Sequence, residues 1–127
     1  MPKRKKIMLI DDDEQQLAIT RELLEYEGYD VLTHRLGFGA SSAVRANQPD
    51  LVLLDINMPA LSGEKLSEII RANVHTKHVP IVFFSSNDEV SLASSVTKYA
   101  VRGYICKGNI ADLRRKVAAY LQEPHTA

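Results

Sequence analysis

Charge imbalance, cysteine and long apolar runs are all scarce in this chain, and each scarcity removes a class of function. Sixteen Lys and Arg balance sixteen Asp and Glu over 127 residues, so no global field favours nucleic acid or a membrane surface. The one basic run, Lys3-Arg4-Lys5-Lys6, is short and reads as a solvated lead-in to the first strand. A single cysteine, Cys106, excludes an internal disulfide, and its apolar surroundings predict a small buried hydrophobe. No apolar run reaches membrane length and no signal peptide is present, which implies a cytoplasmic location. Gly37-Phe38-Gly39 lacks the third glycine of a dinucleotide fingerprint and reads as a turn. His75 and His78 have no further ligands beside them and read as polar surface rather than a metal site.

What remains is the composition of an ordinary soluble globular protein, 45% hydrophobic and 25% charged, at a length that suits a single domain over residues 1–127. Its organising stretch is Leu51-Val52-Leu53-Leu54-Asp55, opened by Pro49-Asp50 and followed by Ile56-Asn57-Met58-Pro59. A continuous apolar run of this length reads as a strand buried on both faces, as in a parallel sheet covered by helices. Three other short apolar segments also end in polar residues: Ile7 to Ile10 before Asp11-Asp12-Asp13, Ile81 to Phe84 before Ser85-Ser86, and Tyr104-Ile105-Cys106 before Lys107. Tyr29 to His34 supplies a fifth strand.

Helical segments alternate with these strands. Between Asp13 and Gly28, residues Leu17, Ile19, Leu23, Leu24 and Tyr26 cover about half of a helix circumference, and Gly28 is the stop. Ala40 to Asn47 is a weak helix with Ala40, Ala43 and Val44 inward. Gly63 to Asn73 carries Leu66, Ile69 and Ile70, and Asp88 to Val101 carries Leu92, Val96, Tyr99 and Ala100. The last helix starts from Asn109 as N-cap, with a stripe of Ile110, Leu113, Val117, Tyr120 and Leu121, and ends at Gln122-Glu123-Pro124. Five strands alternating with five helices predict an α/β, doubly wound, five-stranded parallel sheet of flavodoxin-like order 2-1-3-4-5. Ligands of such sheets bind outside the carboxyl ends of the strands, where strand order reverses. That rule would gather Asp11, Asp12, Asp55, Ser85 and Lys107 in one cleft.

Carboxylates so close raise each other's pKa unless a cation joins them. A hard ion with oxygen ligands, above all Mg²⁺, fits Asp12 and Asp55 with several waters retained. An Asp carboxylate can also act as nucleophile toward a phosphoryl group. Lys107 and the Ser85 hydroxyl would then contact phosphoryl oxygens, because phosphoryl transfer is catalysed mainly by positioning and charge neutralisation. With no base or substrate pocket of its own, such a site suits a switch rather than a turnover enzyme.

Along nearly its whole length the chain resembles the receiver domain of a two-component response regulator. The matching residues are Asp11-Asp12, Leu53 to Pro59 with Gly63, Ser85-Ser86, and Gly103-Tyr104 with Lys107. The resemblance implies that a histidine kinase phosphorylates Asp55. It further implies Mg²⁺ held by Asp12, Asp55 and the main-chain carbonyl of Asn57, with Asp11 acting through the metal's waters. Ser85 would follow the phosphoryl group inward and Tyr104 would change rotamer with it, remodelling the surface of the fourth helix, fifth strand and fifth helix. A downstream protein, or an output domain removed from the chain, would read that surface, with the receiver a monomer or a phosphorylation-linked dimer. Gly108 stands where receivers usually carry proline in a cis bond, which predicts a trans bond after Lys107. One rival is a phosphatase of the haloacid dehalogenase type with Asp11 as nucleophile, but Glu14-Gln15 follow the acids and 127 residues leave no room for a cap domain. The other rival, a phosphorylation-independent binding module on the same fold, suits a chain without site residues.

Overall fold

The computed structural model describes residues 3–122. The strands are β1 (Lys6–Ile10), β2 (Asp30–His34), β3 (Leu51–Leu54), β4 (Ile81–Ser85) and β5 (Gly103–Cys106). Alternating with them are the helices α1 (Glu14–Tyr26), α2 (Ala40–Asn47), α3 (Gly63–Ala72), α4 (Glu89–Tyr99) and α5 (Ile110–Gln122). The strands form one parallel sheet in the order β2-β1-β3-β4-β5, as the alternation of elements predicts. Glu123 and Pro124, the expected helix stop, lie outside the described residues. No described helix is long and apolar enough to cross a membrane.

Successive strand residues point to opposite faces, and this divides the apolar side chains into two layers. Met8, Ile10, Val52, Leu54, Ile81 and Phe83 face Ala40, Val44, Leu66, Ile70 and Leu92 from α2, α3 and α4. Ile7, Leu9, Leu51, Leu53, Val82, Phe84 and Ile105 face Leu17, Leu24, Leu113, Val117 and Leu121 from α1 and α5. All four residues of β3 are buried because helices cover both its faces, the arrangement that its unbroken apolar run anticipates.

Side-chain caps place the helix starts. Asp13 accepts from the Gln15 and Gln16 amides at 3.0 and 3.2 Å, Ser62 from Lys65 at 3.2 Å, Asp88 from Ser91 at 2.9 Å, and Asn109 from Asp112 at 3.0 Å. β2 begins one residue later than expected, because the Tyr29 amide is still bonded to the Leu24 carbonyl in the turn that closes α1. Several apolar residues expected inside are outside. Ile19, Tyr26, Ile69 and Ile110 are exposed, and Ala100 is the exposed left-handed cap of α4. A helix lying on a sheet buries only a stripe of its circumference, and on α1 that stripe includes Thr20 between Leu17 and Leu24. Thr20 is tolerated there because its hydroxyl accepts a bond from the Gln16 side chain at 3.1 Å.

Gly63 lets α3 start directly against the end of β3. A Cβ there would sit on the Asp55 carbonyl oxygen, 2.7 Å from the Asp55 carbonyl carbon and 2.9 Å from Ile56 Cα. At Gly28 the backbone is left-handed, with φ of 97°, but a Cβ would meet nothing within 4 Å. Urea denaturation should therefore show Gly63→Ala losing about 3 kcal/mol and Gly28→Ala about 1 kcal/mol. Equal losses would mean that α3 can retreat from the strand end without cost.

Candidate functional site

Because all five strands run the same way, their carboxyl ends emerge together, and four of them deliver polar residues there: those that follow β1, β3 and β5, and Ser85, which ends β4. Asp55 follows β3, its amide bonded to the Ile10 carbonyl at 2.9 Å, and its side chain is almost entirely buried. Asp11, also buried, follows β1 and is oriented by the Asp13 amide, which donates to Oδ1 at 3.0 Å. Lys107 reaches back from the end of β5, with Nζ 2.7 Å from Asp11 Oδ2 and 3.5 Å from Asp55 Oδ1. Its ammonium also lies 5.7 Å from the centre of the Phe84 ring. Asp12 is exposed at the rim, yet Asp11, Asp12 and Asp55 each place a carboxylate oxygen within 4.8 Å of the others. Five of the expected residues thus share one site, since Ser85 ends β4 beside Lys107, whose amide donates to the Ser85 carbonyl at 2.9 Å.

A bridge that no local pattern announces closes the other side. Asn57 Nδ2 donates to Asn87 Oδ1 at 2.8 Å and lies 3.5 Å from Ser85 Oγ, while the Asn87 amide donates to Ser85 Oγ at 3.2 Å. The buried Ser85 hydroxyl is thereby held between the β3–α3 and β4–α4 loops. Tyr104 is not in the cleft. It lies beside Phe83 in the sheet and on the α4 side, half-buried, with Lys116 Nζ 4.6 Å from its ring centre. Ser85 is two residues beyond Phe83 and points to that same face. Cys106 is only half-buried, contrary to the reading of its apolar neighbours, because β5 is an edge strand. Its Sγ lies 3.9 Å from Glu89 Oε1, and burial together with that carboxylate raises the thiol pKa. His75 and His78 are exposed, and no described peptide bond is cis, including the one before Gly108.

The electrostatics centre on Asp55. Burial above all raises its pKa to about 6, with Asp11 and Asp12 adding to the rise and Lys107 and the Asn57 amide opposing it. Lys107 brings one positive charge to three acids, so the cluster retains a deficit. Oxygen-only donors converging with a charge deficit suit a hard divalent cation with retained waters, the coordination that Mg²⁺ prefers.

In metal-free protein this has a measurable consequence. The folded state keeps the Asp55 proton up to about pH 6, whereas the unfolded chain releases it near the ordinary 3.8. The protonated group's contribution is therefore fully present below pH 3.8 and is lost as pH rises through 6. The loss should be about 3 kcal/mol at most, measured by denaturation at fixed ionic strength. Asp55→Asn should abolish that slope and stabilise the metal-free protein at pH 7.5 by about 1 kcal/mol. An unchanged slope in Asp55→Asn would place the titrating group elsewhere.

Residues 7–118 match the response regulator receiver domain as a family. The polar-differentiation response regulator DivK of Brucella ovis is 28% identical over 99 residues, which cover 78% of this chain and 71% of DivK. The BeF3-activated N-terminal receiver domain of RstA from Klebsiella pneumoniae superposes with a TM-score of 0.83 at 27% identity, covering 94% of this chain and all of that one. The receiver domain of the sensor histidine kinase PA1611 from Pseudomonas aeruginosa, which has a magnesium ion coordinated in its active site cleft, gives a TM-score of 0.85 at 22% identity. It covers 95% of this chain and 100% of its own, and at that identity the likeness is one of fold.

Proposed function

Because the chain belongs to the response regulator receiver family, whose members signal by phosphorylation, we propose that it is a switch in which Asp55 takes a phosphoryl group from a histidine kinase. The observation that carries this reading is the pairing of a nearly buried Asp55 with Lys107, itself anchored by Asp11. In the transfer, an Asp55 carboxylate oxygen attacks phosphorus as the bond from phosphorus to the donor's imidazole nitrogen breaks, giving an acyl phosphate and free imidazole. Lys107 shifts from its carboxylate partners to a phosphoryl oxygen and neutralises charge there. Asp12, Asp55 and the Asn57 carbonyl would hold Mg²⁺, with Asp11 acting through its water shell. The ion, when bound, supplies charge neutralisation for both the carboxylates and the incoming group.

Ser85 then donates its hydroxyl to the phosphoryl group, which draws it from Asn57 and Asn87. Tyr104, on the same face of the sheet, changes rotamer into the space so opened. The surface of α4, β5 and α5 is altered and read by a downstream partner or output domain, with residues 1–127 acting as one cytoplasmic receiver domain. A phosphatase using Asp11 as nucleophile is less compatible with the contacts. Asp11 is already engaged at both oxygens, by the Asp13 amide and by Lys107.

Incubation with Mg²⁺ and a small phosphodonor should add one base-labile phosphoryl group, which intact-mass measurement detects and Asp55→Asn abolishes. Labelling retained in Asp55→Asn and lost in Asp11→Asn would reverse the assignment. Mg²⁺ should raise the Tm of the wild type and much less that of Asp12→Asn. Equal shifts in the two would place the metal outside the acidic cluster.

Beryllofluoride with Mg²⁺ should move amide resonances from Ser85 to Ala100 and from Gly103 to Leu113. Shifts restricted to residues touching Asp55, with Tyr104 unmoved, would indicate a phosphoryl sink without surface readout.

A further inference from the structure

The pole of the sheet opposite the acidic cluster carries a site of the opposite sign. A groove of about 320 Å³ opens at the amino ends of β4 and β5, lined by Arg71, Lys77, His78 and Arg102 around Pro80 and Ala100. No acidic residue is among the described residues that line it. The chain has equal numbers of acids and bases, so this concentration is a local arrangement and not the spill-over of a basic protein. Arg71 has a partial local explanation, because a cation in the last turn of α3 complements the helix dipole. Lys77, His78 and Arg102 lie outside any helix, and that explanation does not extend to them.

The groove is also held in shape. Thr76, 1% exposed, donates its hydroxyl to the Ile70 carbonyl at 2.7 Å, tying the loop after α3 to the helix it leaves. The Thr76 and Lys77 amides both bond to the Asn73 carbonyl, and the Val79 amide to Thr76. On the other wall, Ala100 takes a left-handed conformation with φ of 55°, and the Arg102 amide bonds to the Ile81 carbonyl at 2.9 Å. Arg71 and Lys77 form no ion pair with any described residue. Two cations without an ion pair, on a braced concave surface that no lining carboxylate offsets, present a positive local field that favours an anion. A volume of this size is at the small end of ligand pockets and exceeds the needs of one inorganic phosphate.

We propose that this groove binds a small molecule bearing two adjoining phosphates, about 15 Å along the strands from Asp55. Lys77 and His78 on one wall and Arg102 on the other would contact the phosphate oxygens, with Arg71 closing the end of the groove. The site is independent of the phosphorylation chemistry.

The test is a titration of the uniformly ¹⁵N-labelled 127-residue chain with sodium pyrophosphate, without Mg²⁺ and at constant ionic strength, so that screening does not change. Saturable shifts are expected in amides 71–81 and 100–103, and Lys77→Glu and Arg71→Glu should each weaken the affinity at least tenfold. Both residues are exposed, and phosphoryl labelling of Asp55 should continue unchanged in both variants. A parallel titration with a nucleoside diphosphate identifies the source: tighter binding than pyrophosphate assigns a nucleotide, and equal binding assigns the phosphates alone. Shifts that do not saturate, that spread equally to Lys3 through Lys6, or that persist in both variants would overturn the proposal. So would saturable binding of duplex DNA at these amides with none of pyrophosphate.

Discussion

The burial of the Asp55 carboxylate beside Asp11 is the constraint on which the rest of the site depends. A nearly inaccessible acid next to a second buried acid is tolerable only with a cation in contact or a proton retained, and the chain provides for both. Lys107 reaches across from β5 to touch the two carboxylates, and the Asp55 pKa rises to about 6. One ammonium cannot balance three acids, so the cluster is left with affinity for further positive charge. In the proposed function that residual demand is what Mg²⁺ meets, and the same repulsion that lowers stability makes the site responsive to ligands.

Sheet polarity is the second constraint, and it acts at both poles. Parallel strands gather their carboxyl ends, and with them Asp11, Asp55, Ser85 and Lys107, at one end of the molecule. They gather the loops carrying Lys77, His78 and Arg102 at the other. A chain with no net charge thus carries an acidic cluster at one pole of the sheet and a basic groove at the other. A composition count cannot report this, since it sums over the whole chain.

The two loops at the rim are tied to each other by side-chain hydrogen bonds as well as through the paired strands that carry them. Asn57 and Asn87 join across the cleft and both address the Ser85 hydroxyl, and Gly63 permits α3 to abut the Asp55 carbonyl. Ser85 and Tyr104 lie on the same face of the sheet, two strand positions apart in register. A change at Ser85 thus has a short path to the α4 side through packed side chains, without passing through the sheet.

Sequence alone was enough for the fold, and for bringing Asp11, Asp12, Asp55, Ser85 and Lys107 to one end of the sheet, because both rest on periodicities that local chemistry imposes. An unbroken apolar run such as Leu51–Leu54, set among alternating helical segments, fits a strand covered on both faces, and Asn109 before the last apolar stripe marks a helix start. The polar residue ending each strand is equally legible once the strands are parallel. Tertiary structure alone decided which apolar residues face inward, since Ile19, Ile69 and Ile110 have the right composition but lie off the stripes that meet the sheet. It decided that Cys106, on an edge strand, is half-open. It also decided that Asn57 meets Asn87, that Lys107 bridges Asp11 and Asp55, and that Arg71, Lys77, His78 and Arg102 share a groove. Most of those contacts join residues far apart in the chain, as Asn57 with Asn87, Lys107 with Asp11 and Arg102 with Lys77, and their distances depend on how strands and helices pack, which no local pattern encodes.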